Sequence, residues 1–542
     1  MLTGSFDAAE ALVRQLQSQP QAFGHAVVAV ECIETHISWL LLVGDFVYKF
    51  KKPLKLDFLD FSTTALRRAA CLEELRINRR TAPDLYLGLV AVQQQHGALR
   101  VLPADQAPAG AEPAVRMRRF AQDMLLSHVL EQQRLQPAHI DALARHVAQF
   151  QDGAAVAQPG QGFGDAHAVC SPVHDCLQAL QSQEEAGDCA QPSPLPRLAQ
   201  WCAAQGAALA PVFDARLHAG RVRECHGDLH LANLVLTDAG PQLFDAIEFN
   251  PALRWIDCVA DIAFLVMDLE ARGRSDLAWR FLNAWLEHTG DYDGLRVLRY
   301  YCVYRALVRA RVAGMRRAQV GGAAWAASAL ERQRYLELAA RSIQPQPAAL
   351  WLAHGFSGAG KSTQSQGLIE QRGVVRVRAD VERKRLFGLL AHASSAVVSG
   401  GIYTREASQR THDRLAQVAR TALGAEYTVL VDATFLNAAL RARFIALADA
   451  LQAPCRILSF EAPLDVLRAR VQARQQAGGD ASEAGLEVLE SQWAAARPLS
   501  AQEEARTVHV DTTRPVDWDV LLPREEATEP PGLASGAATP LS

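Results

Sequence analysis

The chain has 542 residues, a net charge of −4, 49% apolar residues and 21% charged residues. That length accommodates two large domains or three to four small ones. The near-neutral balance excludes a protein that coats nucleic acid through a basic excess, and the apolar content excludes wholesale disorder.

Ten cysteines in a chain of this size are too sparse for a disulfide framework. Residues 1–7 carry no basic stretch and Glu10 interrupts the apolar run behind them, so no signal peptide is expected. The most apolar later segment, residues 255–269, contains Asp257, Asp261 and Asp268, so no membrane span is expected there. The expectation is a cytoplasmic protein with neither a nucleic-acid nor a membrane partner.

In chain order, strands are expected at residues 25–30, 37–43 and 46–50. A helix presenting Ala69, Leu72 and Leu75 on one face follows, then strands near 87–93 and 114–118. From Met124 onward the pattern is helical, broken by a hairpin around the turn Thr237-Asp-Ala-Gly-Pro241. A small β-rich lobe followed by a larger helical lobe is the coarse expectation. Residues 151–196, rich in Gly, Gln and Ala, read as a loose insertion. Within it His167, Cys170, His174 and Cys176 are spaced like metal ligands, but the second C-x2-C pair of a zinc site is missing.

The first chemical motif is His226-Gly-Asp228-Leu-His-Leu-Ala-Asn233, followed by the hairpin and Phe244-Asp245-Ala-Ile-Glu248. One carboxylate, Asp228, can receive an acceptor hydroxyl proton, while Asn233 and Asp245 can hold Mg²⁺ against ATP phosphates. These residues resemble the aminoglycoside-phosphotransferase-like branch of the protein-kinase-like fold, which includes choline and fructosamine kinases, over roughly residues 25–320. The resemblance implies that Asp228 is the catalytic base and that Asn233 and Asp245 are the metal ligands. It also implies that Lys49 contacts phosphate and that Glu74 is its ion-pair partner, with Glu73 as the alternative. Read from the residues alone, Lys49 belongs to a basic run with Lys51, Lys52 and Lys55. No G-x-G-x-x-G precedes Lys49, and Asp245 is followed by Ala246-Ile247 without an Ala-Pro-Glu segment. A small-molecule kinase is therefore expected in preference to a regulated protein kinase.

Residues 342–347, Ser-Ile-Gln-Pro-Gln-Pro, read as a linker between a kinase-like domain at 1–341 and a second domain at 348–518. Residues 519–542 read as a disordered tail. In the second domain, strands at 348–354, 374–378, 427–431, 455–460 and 508–510 alternate with helical segments at 381–390, 406–423, 438–451 and 464–475. Apolar strands alternating with helices imply an α/β doubly wound parallel sheet. Gly355-Phe-Ser-Gly-Ala-Gly-Lys361-Ser362 fits the phosphate-loop pattern between an apolar strand and a helix. Gly355, Ser357, Gly358, Ala359, Gly360, Lys361, Ser362 and Thr363 are then the nucleotide-binding set, with Lys361 reaching the phosphates and the Ser362 hydroxyl ligating Mg²⁺.

Asp432, ending a buried strand, stands where a carboxylate behind Mg²⁺ belongs. Asp380 is the candidate for orienting or deprotonating the acceptor, with an N-cap of helix 381–390 as an equal alternative. Arg470 and Arg474 share a helix face from which they would close over the phosphates, or would simply be solvated. This segment resembles zeta-toxin-like and gluconate-kinase-like phosphate-loop kinases. Together the motifs predict an ATP- and Mg²⁺-dependent phosphotransferase with a small-molecule hydroxyl acceptor. Two alternatives stay open: catalysis by the phosphate-loop domain alone, or a nucleotide-sensing ATPase switch.

Overall fold

The computed structural model describes residues 6–523 except 27, 57–58, 96–97, 109, 186–192, 320–321, 399–400 and 478–479. In the N-terminal part six antiparallel strands form one sheet, in the order Val30–Glu34, Ser38–Val43, Phe46–Lys51, Glu112–Arg118, Tyr86–Gln95, Ala98–Pro103. The first strand is not at 25–30. Pairing begins with Val30 opposite Val43, and Val28 before it is fully exposed. The strand Ala98–Pro103, absent from the sequence reading, completes a hairpin with Tyr86–Gln95.

Helix Thr64–Asn78 starts at Thr63, whose hydroxyl accepts the Leu66 N–H. Of its expected face only Leu75 is buried. Ala69 and Leu72 are exposed, while Arg67, Cys71, Glu74 and Asn78 turn inward. The inward face carries charge beside Ala70, Leu75 and Ile77, and each charge on it meets a partner: Arg67 grips Glu112, and Glu74 meets two lysines.

The helical lobe is organised around helix Cys258–Ala271, where every residue except Glu270 is buried. This is the segment that hydropathy marked out. Among the described residues no helix is long and apolar enough to cross a membrane. The supposed loose insertion contains the 20-residue helix Ala166–Glu185, which packs against Leu195–His218. Val173, Cys176, Leu177 and Leu180, spaced three and four apart, drive it into the core. Among the described residues no group of three or more His, Cys, Asp or Glu side chains is placed to hold a metal ion.

In the C-terminal part five parallel strands run in the order Val375–Arg378, Val429–Asp432, Leu350–His354, Cys455–Glu461, Thr507–Asp511. Alternation along these strands divides the residues between two cores. Leu350, Leu352, Val375, Val377, Val429, Val431 and Ile457 face a core continuous with Phe281, Leu282 and Trp285 of the N-terminal part. Ala353, Leu430, Leu458 and Phe460 face a second core closed by Leu368, Leu467 and Val471. Asp519 to Pro523, assigned to the tail, include most of helix Trp518–Leu521 and buried Leu522. Burial of Trp518 against Phe460 holds them there, and the rest of the tail lies outside the described residues.

Candidate active sites

Strand alternation places Lys49 and Lys51 on the same face of Phe46–Lys51. Both are buried, so the basic run is not a solvated stripe. Lys49 Nζ stands 2.8 Å from Glu74 Oε1 and 2.5 Å from Asp245 Oδ1. Lys51 Nζ takes the other Glu74 oxygen at 2.5 Å and also pairs with Glu248. The choice between Glu73 and Glu74 is thereby made: Glu73 points the other way, to Arg76 and Arg254. Burial pushes the Glu74 carboxyl up, but Lys49 and Lys51 more than offset this and hold it down at about 2. Burial likewise pulls the Lys49 ammonium down, and Asp245 and Glu74 return it well above its ordinary value.

The loop 225–233 is suspended from helix Cys258–Ala271. Asp261 accepts the backbone N–H groups of His226 at 3.2 Å and Gly227 at 2.9 Å, and Asp268 accepts that of Leu231 at 3.1 Å. Gly227 has φ +86°, and a Cβ there would lie 2.6 Å from Leu253 O, so the motif needs glycine at this position. His226 Nε2 bonds Phe244 O at 2.9 Å, tying the loop to the segment carrying Asp245. The Asn233 amide donates to Asp228 Oδ2 at 2.8 Å and to Asp228 O at 2.9 Å. Burial raises the Asp228 carboxyl, but His230 and Arg309 outweigh it and hold it well below the usual range.

Asp245 adopts φ +60°, a left-handed conformation that aspartate tolerates better than most residues. Tyr86 Oη accepts its N–H at 3.0 Å and Asn78 Oδ1 accepts the next N–H at 2.8 Å, which keeps the backbone in that shape. Asp228, Asn233, Asp245, Lys49 and Glu74 therefore belong to one connected constellation. Sequence reasoning gave no site role to Lys51, Glu248, Tyr86, Asn78, Asp261 or Asp268. The signal for the last two was present: carboxylates seven apart on an otherwise apolar helix share one face.

The second constellation lies at the carboxyl ends of the parallel strands, where ligands bind in open α/β sheets. Gly358 has φ +82°, and a Cβ there would meet Leu467 O at 2.7 Å, so the loop closes only on glycine. Ser362 Oγ donates to Asp432 Oδ2 at 2.6 Å. Lys361 Nζ turns back to Gly355 O at 3.0 Å and Phe356 O at 2.8 Å. Among the described residues it has no carboxylate within ion-pair distance. Burial pulls its ammonium below the usual value, against the pull of Asp432 and Asp380.

A cleft of about 570 Å³ opens here, lined by Ser357, Gly358, Gly360 to Thr363, Asp380, Asp432, Arg470 and Arg474 among others. Ala359 is buried behind the loop. Helix Ala379–Leu386 begins two residues earlier than expected, with Arg378 at its N-cap position. Asp380 is therefore not an N-cap; it sits in the first helical turn and faces the cleft. Arg470 is anchored on Thr512, at 2.9 Å to Oγ1 and 2.7 Å to the carbonyl, and Arg474 on Ala484 O at 2.7 Å. Both arginines line the cleft and neither is a merely solvated charge. Helix Leu486–Ala495, not foreseen, brings Gln492, whose Oε1 accepts the Ser357 N–H at 2.9 Å.

The fold and these two constellations define a mixed α/β protein: a six-stranded antiparallel sheet with a helical lobe in the N-terminal part, and a five-stranded parallel sheet carrying the phosphate-loop sequence in the C-terminal part. A family model described as an AAA domain matches residues 350–499. The uncharacterized protein Rv2004c of Mycobacterium tuberculosis is 30% identical over 458 residues, which cover 84% of this chain and 88% of the relative. The uncharacterized protein Mb2027c of Mycobacterium bovis matches to the same extent, 30% over 458 residues, 84% and 88%. The chain belongs to the family of these mycobacterial proteins.

Among solved structures, a choline/ethanolamine kinase family protein from Mesorhizobium loti is 11% identical with a TM-score of 0.36, covering 61% of this chain and 99% of that one. A sugar kinase from Janibacter is 21% identical with a TM-score of 0.24, covering 31% of this chain and 88% of that one.

Proposed function

We propose that the protein is a cytoplasmic ATP- and Mg²⁺-dependent phosphotransferase that acts on a hydroxyl group of a small molecule, with a nucleotide site in each part. The parts are residues 1–341 and 348–518, joined at 342–347. The observation that carries this reading is the meeting of Lys49, Glu74 and Asp245, brought together from a strand, a helix and a loop 196 positions away from Lys49.

The residues present fit the nucleotide and the metal. Lys361 is a cation inside a glycine loop with no anionic partner among the described residues, a charge arrangement suited to phosphate. Ser362 with Asp432, and Asn233 with Asp245, are oxygen-donor sets of the kind that hard divalent cations take. The Asn233 amide nitrogen is turned to Asp228, which leaves its amide oxygen for a cation. Mg²⁺, when bound, would neutralise charge on the phosphates.

In the first part, Lys49 would contact phosphate while Glu74 fixes its position, and Asp228 would receive the acceptor hydroxyl. Asp228 would orient that hydroxyl and receive its proton. In the second part, Lys361, Arg470 and Arg474 would surround the phosphates, and Asp380 would orient the acceptor from the cleft wall.

The test is ADP release by the full-length protein on addition of hydroxyl-bearing metabolites one by one, compared with Asp228→Asn and Lys361→Ala. At least one metabolite should stimulate turnover that one of the two substitutions removes. Turnover that no metabolite stimulates, or that neither substitution affects, would remove this reading.

A further inference from the structure

The phosphate-loop cleft leans on a carboxylate supplied by the other part of the chain. Glu287 lies on helix Ser275–Thr289 of the kinase-like part, and its Oε1 accepts from Arg378 Nη1 at 2.9 Å. Arg378 ends the strand Val375–Arg378, next in sequence to Ala379, which lines the cleft. Its Nε stands 3.9 Å from Asp432 Oδ2, a long ion pair beyond hydrogen-bond reach, and its Nη2 stands 3.8 Å from Asp480 on the cleft wall. Asp432 Oδ2 is the same oxygen that accepts the Ser362 hydroxyl at 2.6 Å. A guanidinium is a strong bidentate partner for a carboxylate, so an arginine released from Glu287 would close the remaining distance and take that oxygen.

The helix is held in register with the strand that it serves. Asn283, one turn before Glu287, donates from Nδ2 to Val374 O at 2.9 Å and accepts the Arg376 N–H at 2.7 Å. These two bonds satisfy backbone groups of the outermost strand and fix Glu287 opposite Arg378. Arg385 adds a bond to the Glu287 carbonyl at 2.5 Å.

We propose that Glu287 is a positioning residue for the phosphate-loop site: it holds Arg378 off Asp432 and so leaves that carboxylate to Ser362 and to Mg²⁺. The inference rests on the reading of this cleft as a Mg·ATP site. It makes the kinase-like part a contributor to the second site.

The experiment uses the full-length protein and calorimetric titration with ATP at a series of Mg²⁺ concentrations. The phosphate-loop component is the binding that is lost in Lys361→Ala. Glu287→Gln is expected to raise the Mg²⁺ concentration for half-saturation of that component roughly tenfold. ATP affinity at saturating Mg²⁺ should stay close to wild type. The double variant Glu287→Gln with Arg378→Gln is expected to recover the wild-type Mg²⁺ requirement, because the competing guanidinium is gone; a merely structural defect would not be reversed in this way. Should Glu287→Gln fail to fold, Glu287→Asp, with its shorter reach, is expected to give an intermediate shift. An unchanged Mg²⁺ requirement, or a double variant without recovery, overturns the proposal. A wild type with no Lys361-dependent component removes the reading of the cleft and this inference with it.

Discussion

Lys49 and Lys51 divide the two carboxylate oxygens of Glu74 between them, at 2.8 Å and 2.5 Å, in the interior of the N-terminal lobe. Two cations and one anion at a buried point are tolerated only because Asp245 and Glu248 supply the remaining negative charge. Glu74 is therefore a structural hub as well as the partner of Lys49, the lysine proposed to contact phosphate.

Removing that hub leaves two buried ammonium groups short of a partner. Glu74→Ala is expected to cost about 3–5 kcal/mol of stability, the range for breaking a buried pair. Urea unfolding followed by circular dichroism checks this. A loss below about 1 kcal/mol, the scale of an exposed pair, would show that the cluster is solvated.

The same carboxyl makes a pH prediction. Its folded value, about 2, lies below its ordinary 4.5, so its contribution to stability is fully present above pH 4.5 and is lost as pH falls toward 2. Wild-type protein should lose stability through that window more steeply than Glu74→Gln, which has no proton to bind there. Equal slopes in acid unfolding of the two proteins would contradict the ion-pair geometry.

Asp228 and Asp245 should separate in a binding experiment. Asp228→Asn is expected to leave Mg·ATP binding by the N-terminal site near wild type while cutting transfer steeply, because the proposed role places this group on the acceptor. Asp245→Ala should weaken Mg·ATP binding itself. Calorimetry on full-length protein carrying Lys361→Ala isolates that site, and the reverse pattern would exchange the two roles.

The two parts should unfold together. One core runs from Trp285 and Phe281 to Leu352 and Val377, and Asn283 bonds the outermost strand of the parallel sheet. Calorimetry is expected to show a single transition with equal calorimetric and van't Hoff enthalpies. Asn283→Ala, which strips two backbone groups of their partner, should lower stability by about 1–3 kcal/mol. Two separate transitions would mean that the shared core does not couple the halves.

Much of the local geometry of the candidate sites was legible in the sequence because it depends on short stretches. The phosphate loop, the Asp228 motif and the carboxylate ending the strand Val429–Asp432 each lie within one short stretch, where residue type and spacing dictate backbone shape. The parallel sheet was legible for the same reason, since its strands Leu350–His354 and Val429–Asp432, covered on both faces, are largely apolar. What only tertiary structure decided is the partnership of charges. A basic run at residues 49–55 looks the same on paper whether it is solvated or buried; strand alternation and a polar helix face put Lys49 and Lys51 inside. Neither the preference for Glu74 over Glu73 nor the reach of Glu287 to Arg378 follows from any local pattern. Burial makes an unpaired charge costly, so the partner is whichever opposite charge the packed elements deliver within about 3 Å, and sequence distance has no part in that choice.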